Sequence, residues 1–122
     1  MMSGCVERMK EAEYIERLFA SWPRGHEAAP DELLALADEA VQAFPASAKL
    51  WVMRGNLIEL GAGETSRALN DALVSYERAV SIDPNFVEGW EEIGYYYDAV
   101  MDDEERARQA FQQAGLLKNT NV

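Results

Sequence analysis

The sequence predicts an all-α domain of three antiparallel helix–turn–helix pairs stacked one on another, and three observations carry that reading. First, residues of demanding type recur at one spacing. Pro45 and Pro84, Trp51 and Trp90, Gly55 and Gly94, and Ala40 and Ala79 are each 39 positions apart, and Leu34/Leu73 and Val41/Val80 keep the same offset. Self-similarity at a fixed period of this size marks a repeat architecture. Second, the apolar residues follow helical spacing along the whole chain. Third, no alternating apolar–polar run bounded by turn signals reads as a strand.

The predicted helices span 6–21, 31–44, 47–60, 66–82, 86–99 and 103–117. The first carries a stripe of Tyr14, Ile15, Leu18, Phe19 and Trp22. Trp22–Pro30, with Pro23, Gly25, His26 and Pro30, is an ordered but irregular connection. Pro30-Asp31 starts the second helix, with Asp31 as its N-cap. There Leu33, Leu34, Ala37, Ala40, Val41 and Phe44 line one face, with polar Asp38, Glu39 and Gln42 between them. Phe44-Pro45 and Asp83-Pro84 are stops, because proline disfavours the α conformation of the residue before it. Gly61-Ala62-Gly63 breaks the third helix, and Ser66 is placed to cap the fourth, whose stripe is Ala72, Leu73, Tyr76, Ala79 and Val80. In the last helix Ala107, Ala110, Phe111 and Ala114 share one face. Glu105, Arg108, Gln109, Gln112 and Gln113 take the rest, giving the polar outer surface of a terminal repeat. Gly55, Gly94, Ala40, Ala79 and Ala114 let helix axes approach, while Trp51, Trp90, Tyr76 and Phe111 fill the space between layers.

Composition narrows the function. The chain has 122 residues, a net charge of −11 and 48% hydrophobic residues, enough for one domain and too apolar for a disordered acidic tail. Its single Cys, Cys5, excludes an internal disulfide and is expected to be a free thiol. The acidic balance opposes nucleic-acid binding, which needs clustered Lys and Arg. No window approaches the ~18 apolar residues of a membrane span, and Met1–Lys10 lacks the apolar stretch of a signal peptide, so a cytoplasmic protein without membrane contact is expected. His26 has no partner at metal-ligand spacing, and Asp102–Glu105 lacks the ligand alternation of a calcium loop. Gly61-Ala62-Gly63-Glu64-Thr65 has no Lys and follows a helix, so it is not a phosphate loop. No carboxylate pair in an apolar pocket is evident, and neither catalysis nor a cofactor is expected.

The run Trp90-x-x-Ile93-Gly94-x-x-Tyr97, followed by Ala107-x-x-x-Phe111-x-x-Ala114, resembles a tetratricopeptide repeat (TPR). So does Trp51-x-x-Arg54-Gly55-x-x-Ile58, followed by Ala72-x-x-x-Tyr76-x-x-Ala79 and Pro84. Against the family's 34-residue unit, the offsets leave five extra residues around Gly61–Ser66 and one near Asp102, inside each pair, where insertions cost least. The first unit matches in its second helix (Leu33, Ala37, Ala40) and Pro45 only, so the resemblance spans Asp31–Leu117. It implies a single domain shaped as a short right-handed superhelix: a divergent first repeat (1–45), a second with an insertion (46–84), a third (85–117) and a tail (118–122).

The resemblance also implies a concave groove lined by the first helix of each pair. The second unit contributes Lys49, Val52, Met53, Asn56, Glu59 and Leu60, and the third Glu88, Glu91, Glu92, Tyr95, Asp98 and Ala99. Asn56 coincides with an Asn that hydrogen-bonds ligand backbone in peptide-binding members. The basic residues that clamp a C-terminal carboxylate in chaperone-tail-binding members are replaced by Val52, Glu91 and Glu92, so an acidic tail is not the expected ligand.

Between Ala79 and Glu105 lie nine acidic residues and no Lys or Arg. Asp102–Glu105 sit at a helix start, where each negative charge gains ~0.3–1 kcal/mol from the dipole. Glu88, Glu91, Glu92 and Asp98 share a face with Tyr95, while Tyr97 is the expected core tyrosine. That face is either a solvated surface or the acidic, aromatic wall of a groove floored by Val52, Met53 and Leu60, suited to a basic amphipathic segment. The expected function is a monomeric protein-interaction module, an adaptor or assembly factor that binds a protein or peptide. The alternatives are a small secretion-type chaperone holding a client, or self-association through Tyr14, Leu18, Phe19 and Trp22 of the first helix.

Overall fold

The computed structural model describes residues 9–61 and 69–120. Among them the regular elements are all helices: α1 (Glu11–Ala20), α2 (Asp31–Ala43), α3 (Ala48–Gly61), α4 (Asn70–Ile82), α5 (Val87–Ala99) and α6 (Glu104–Thr120). The pairs α3/α4 and α5/α6 pack most extensively. Successive pairs meet through α2/α3 and α4/α5, and α3 also lies against α5. This is the stacking of helix pairs that the 39-residue spacing predicts. No helix among the described residues is long and apolar enough to cross a membrane.

Local chemistry sets the helix ends. Lys10 is extended and donates its N–H to the Glu13 carboxylate (2.9 Å), so α1 starts at Glu11; the predicted 6–8 lie outside the described residues. Asp31 is not the N-cap of α2. Pro30 holds that position, its carbonyl accepting from Leu33 and Leu34 (3.0 and 3.2 Å), and Asp31 is the first helical residue, where its charge meets the positive end of the dipole. Ser47 caps α3 through Oγ, which accepts the Leu50 N–H (3.2 Å). The Ser66 cap and the start of the fourth helix at residue 66 fall outside the described residues, as does Cys5. At α6, Asp102 takes a positive φ of 52° and Asp103 caps, its Oδ1 accepting the Arg106 N–H (3.1 Å). The helix then runs to Thr120, so residues 118–120 of the expected tail are helical.

The repeated residues do repeated work. Trp51 donates its indole N–H to the Pro45 carbonyl (3.0 Å), and Trp90 does the same to Pro84 (2.8 Å). Both indoles are only half-buried and tie each new helix to the turn before it, rather than filling the interior as expected. Tyr76 does fill it, fully buried against Gly55, while Phe111 covers Gly94. A methyl at Gly55 would stand 2.9 Å from Tyr76 Cδ1, and one at Gly94 2.6 Å from Phe111 Cε1, so only glycine allows these contacts.

The centre of the molecule is α3. Leu50, Val52, Met53, Leu57 and Ile58 are all buried, as the three helical neighbours of α3 require, and Lys49, Asn56, Glu59 and Leu60 keep partial exposure along one edge. The irregular 22–30 segment closes a further side. Phe19 at the end of α1 lies 5.9 Å from Lys49 Nζ, Trp22 lies beside Asn56 and Glu59, and buried Ala29 donates its N–H to the Leu60 carbonyl (3.4 Å). The chain therefore runs along α3 from its first turn to its last.

Candidate functional site

On α5 the acidic residues cover a broad arc, because positions three, four, seven and ten apart fan out at about 100° per residue. The two edges of that arc meet different neighbours. Glu91, Tyr95 and Asp98 lie toward α6: Glu91 pairs with Lys118, Tyr95 packs edge-on against Phe111 (5.1 Å between centroids), and Asp98 borders a shallow recess with Ala107, Arg108 and Phe111. Glu88 and Glu92 lie toward α3. Glu88 accepts from Lys49 Nζ (3.1 and 3.4 Å), bridging the two helices. The single acidic wall expected from the sequence is therefore divided between two surfaces. Ala99, beyond Asp98, is exposed.

Glu92 lines a cleft of about 280 Å³ together with Trp22, Asn56, Glu59 and Leu60. Two of these residues meet the buried Tyr76, whose hydroxyl donates to Glu59 and contacts Asn56 Oδ1 (2.9 Å). Burial pushes the Glu92 carboxyl up to about 7, aided by the charges of Glu59, Glu88 and Glu91, while the Tyr76 hydroxyl opposes the shift. Burial also raises Glu59, against the same hydroxyl. Tyr76 itself is raised by burial and by the hydrogen bond and charge of Glu59. Two carboxylates thus face one another in a half-buried cleft, a pairing that sequence reasoning did not find. Their partnership depends on α3 and α5 lying side by side, 33 residues apart in the chain. The one sequence signal available was Asn56-x-x-Glu59 on α3, one stacking layer from Glu88-x-x-x-Glu92 on α5.

Three further expectations need correction. Val52 and Met53 are 0% and 2% exposed, sealed in the core, so they do not floor a groove; of the three floor residues only Leu60 reaches the surface. The buried tyrosine of the Tyr95–Tyr97 run is Tyr96, at 2% exposed, whereas Tyr97 is half-buried beneath the guanidinium of Arg106 (5.6 Å to the ring centroid). Tyr14 and Leu18 are buried, Tyr14 donating its hydroxyl to Glu39 (2.6 Å), and so cannot face a second copy; Phe19 and Trp22 are the members of that set with exposed surface. Among the described residues no group of three His, Cys, Asp or Glu side chains could hold a metal ion, and His26 is exposed. Neither a protein-family model nor a curated protein sequence matches the chain.

Proposed function

We propose that this chain is a TPR-like protein-interaction module whose α3/α5 face, edged by Trp22, binds a basic or amphipathic segment of a partner protein. The observation that carries the reading is the cleft between Glu59 and Glu92, where two carboxylates are held together in a partly desolvated site beside an aromatic ring. Such a site is a costly arrangement for the free protein and a favourable one once a cation lies in it. Lys49 and Glu88 mark one end of the same face and Leu60, which is exposed, the other, so charged and apolar contacts are both on offer along α3.

The test is fluorescence anisotropy with three synthetic helical peptides of equal length, one basic and amphipathic, one acidic and one neutral. The reading predicts binding of the basic peptide alone, weakening several-fold between 50 and 200 mM salt as exposed charges are screened. Equal binding of all three, or of none, contradicts it.

A second reading, a small chaperone that holds an unfolded client, is favoured by one observation. At the α5/α6 end Tyr95, Met101 and Leu116 are exposed, the first at 58% and the last at 61%. Exposed apolar side chains of this kind suit a client held by its hydrophobic segments. Suppression of aggregation of a reduced, unfolded test protein, lost in a Tyr95→Ser, Leu116→Ser variant, would favour this second reading.

A further inference from the structure

The molecule already contains one filled guanidinium site. Arg54 lies over the Trp51 ring (5.7 Å to the centroid), donates through Nε to Asp38 (2.8 Å) and through Nη1 to the Ser75 hydroxyl (2.5 Å). An indole face, a carboxylate and a neutral oxygen acceptor together hold one planar cation, with a second arginine, Arg78, on the same ring (5.9 Å). The cleft on the α3/α5 face repeats this chemistry with residues from other elements: the indole of Trp22, the carboxylates of Glu59 and Glu92, and the amide of Asn56. Among the described residues no Lys or Arg is paired with Glu59 or Glu92, and the neighbouring cation, Lys49, is bound to Glu88.

We infer that this cleft is a socket for the guanidinium of one arginine side chain from the bound partner. The inference rests on the proposed binding face and specifies what anchors a segment there. Arginine fits better than lysine for a geometric reason. Glu59 and Glu92 come from neighbouring helices, and a planar fork of five donors offers in-plane hydrogen bonds to more than one carboxylate while its flat face stacks on an indole, whereas an ammonium has three donors and no flat face. A coupling to a proton follows from the groups around Glu92. From α3 it faces Glu59; from α4, the Tyr76 hydroxyl; along α5, Glu88 (paired with Lys49) and Glu91 (paired with Lys118). With like charges predominating, the free site keeps a proton on Glu92 up to about pH 7, and an incoming guanidinium displaces it.

The experiment is an NMR titration of the full chain with N-acetylarginine amide, N-acetyllysine amide and N-acetylcitrulline amide, the last a neutral isostere of arginine. The readout is the Trp22 indole N–H resonance. Trp51 and Trp90, whose N–H groups are tied to proline carbonyls, serve as internal references. The inference predicts a saturable shift of Trp22 with the arginine amide, a weaker effect with lysine and none with citrulline. Affinity for arginine should fall roughly 30-fold from pH 8 to pH 5.5, as expected for one displaced proton. That dependence should persist in His26→Gln, which removes the imidazole of the same segment, and should flatten in Glu92→Gln. Matching responses to arginine and citrulline, or an unmoved Trp22, overturn the socket; equal affinity at both pH values overturns the proton exchange. Failure of the socket is distinguishable from failure of the binding face, because the basic helical peptide can bind along α3 and α5 without it. Glu92→Gln removes charge from a crowded site and keeps the side-chain shape, so it is expected to fold, as circular dichroism would verify.

Discussion

The second and third helix pairs present the same three positions in two different settings. Asn56, Glu59 and Tyr76 of the second correspond by repeat spacing to Tyr95, Asp98 and Phe111 of the third. In the second pair these residues are enclosed by α5 and by the 22–30 segment, and the Tyr76 hydroxyl gathers Asn56 and Glu59 around it. In the third there is no hydroxyl on the ring, Tyr95 is largely exposed, and the recess by Asp98 opens outward. Equal backbone positions thus give a desolvated acidic cleft in one place and an ordinary surface in the other. The neighbouring layer makes the difference, together with one oxygen atom.

Substitutions at paired positions should separate the two settings, and the glycines give the largest effect. Gly55→Ala should destabilise by about 2 kcal/mol, because its methyl meets a fully buried ring, while the gain in helix propensity offsets only part of the strain. Gly94→Ala should cost about 1 kcal/mol less, since half-buried Phe111 has room to swing toward solvent. Urea denaturation of both variants checks the order, and equal costs would mean that the two rings are equally confined.

Tyr76→Phe should come next, at roughly 1–2 kcal/mol, because it leaves the half-buried Glu59 without its donor. The reverse substitution in the other pair, Phe111→Tyr, should change stability by less than about 0.5 kcal/mol, the new hydroxyl reaching solvent. Chemical denaturation at pH 8 measures both.

The smallest effect depends on pH, and its sign follows from the direction of the shift. A carboxyl raised in the folded state contributes stability below its unfolded value that is lost as pH rises to the folded value, here from about 4.5 to about 7. Glu92→Gln should therefore stabilise the protein above pH 7 by ~1 kcal/mol, after allowance for solvent screening at a half-exposed site, and give no advantage below pH 4.5. Melting temperatures at pH 4.5 and 8 test this; a stabilisation equal at both would assign the effect to something other than charge.

How much of this was legible beforehand depended on whether a signal lay within one helix or between two. The helix pairs, the proline stops, the close contacts at Gly55 and Gly94 and the small residues Ala40 and Ala79 were readable, because spacing and residue type carry them. The fate of Val52 and Met53 was not. Both sit where a groove-lining helix would show them to solvent, yet both are buried, and the irregular 22–30 segment, which meets α3 at Leu60, has no periodicity to announce where it lies. The spacing of the acidic residues puts them on one broad arc of α5, but it does not say which neighbour each edge of that arc meets. That Glu91 would meet Lys118, and Glu92 would meet Glu59, followed from packing partners invisible to a single helix.

In the proposed binding mode the partner lies on the inner edge of α5 and not the outer one. The most direct test compares two doubly substituted proteins of equal charge, Glu59→Gln with Glu92→Gln and Glu91→Gln with Asp98→Asn, for affinity toward the same basic amphipathic peptide at pH 8. The inner pair should lose about tenfold or more, the scale of a desolvated charge contact, and the outer pair should bind like the unaltered protein. Equal losses would reduce the acidic residues to a general field, and a loss confined to the outer pair would move the binding surface to the α5/α6 end.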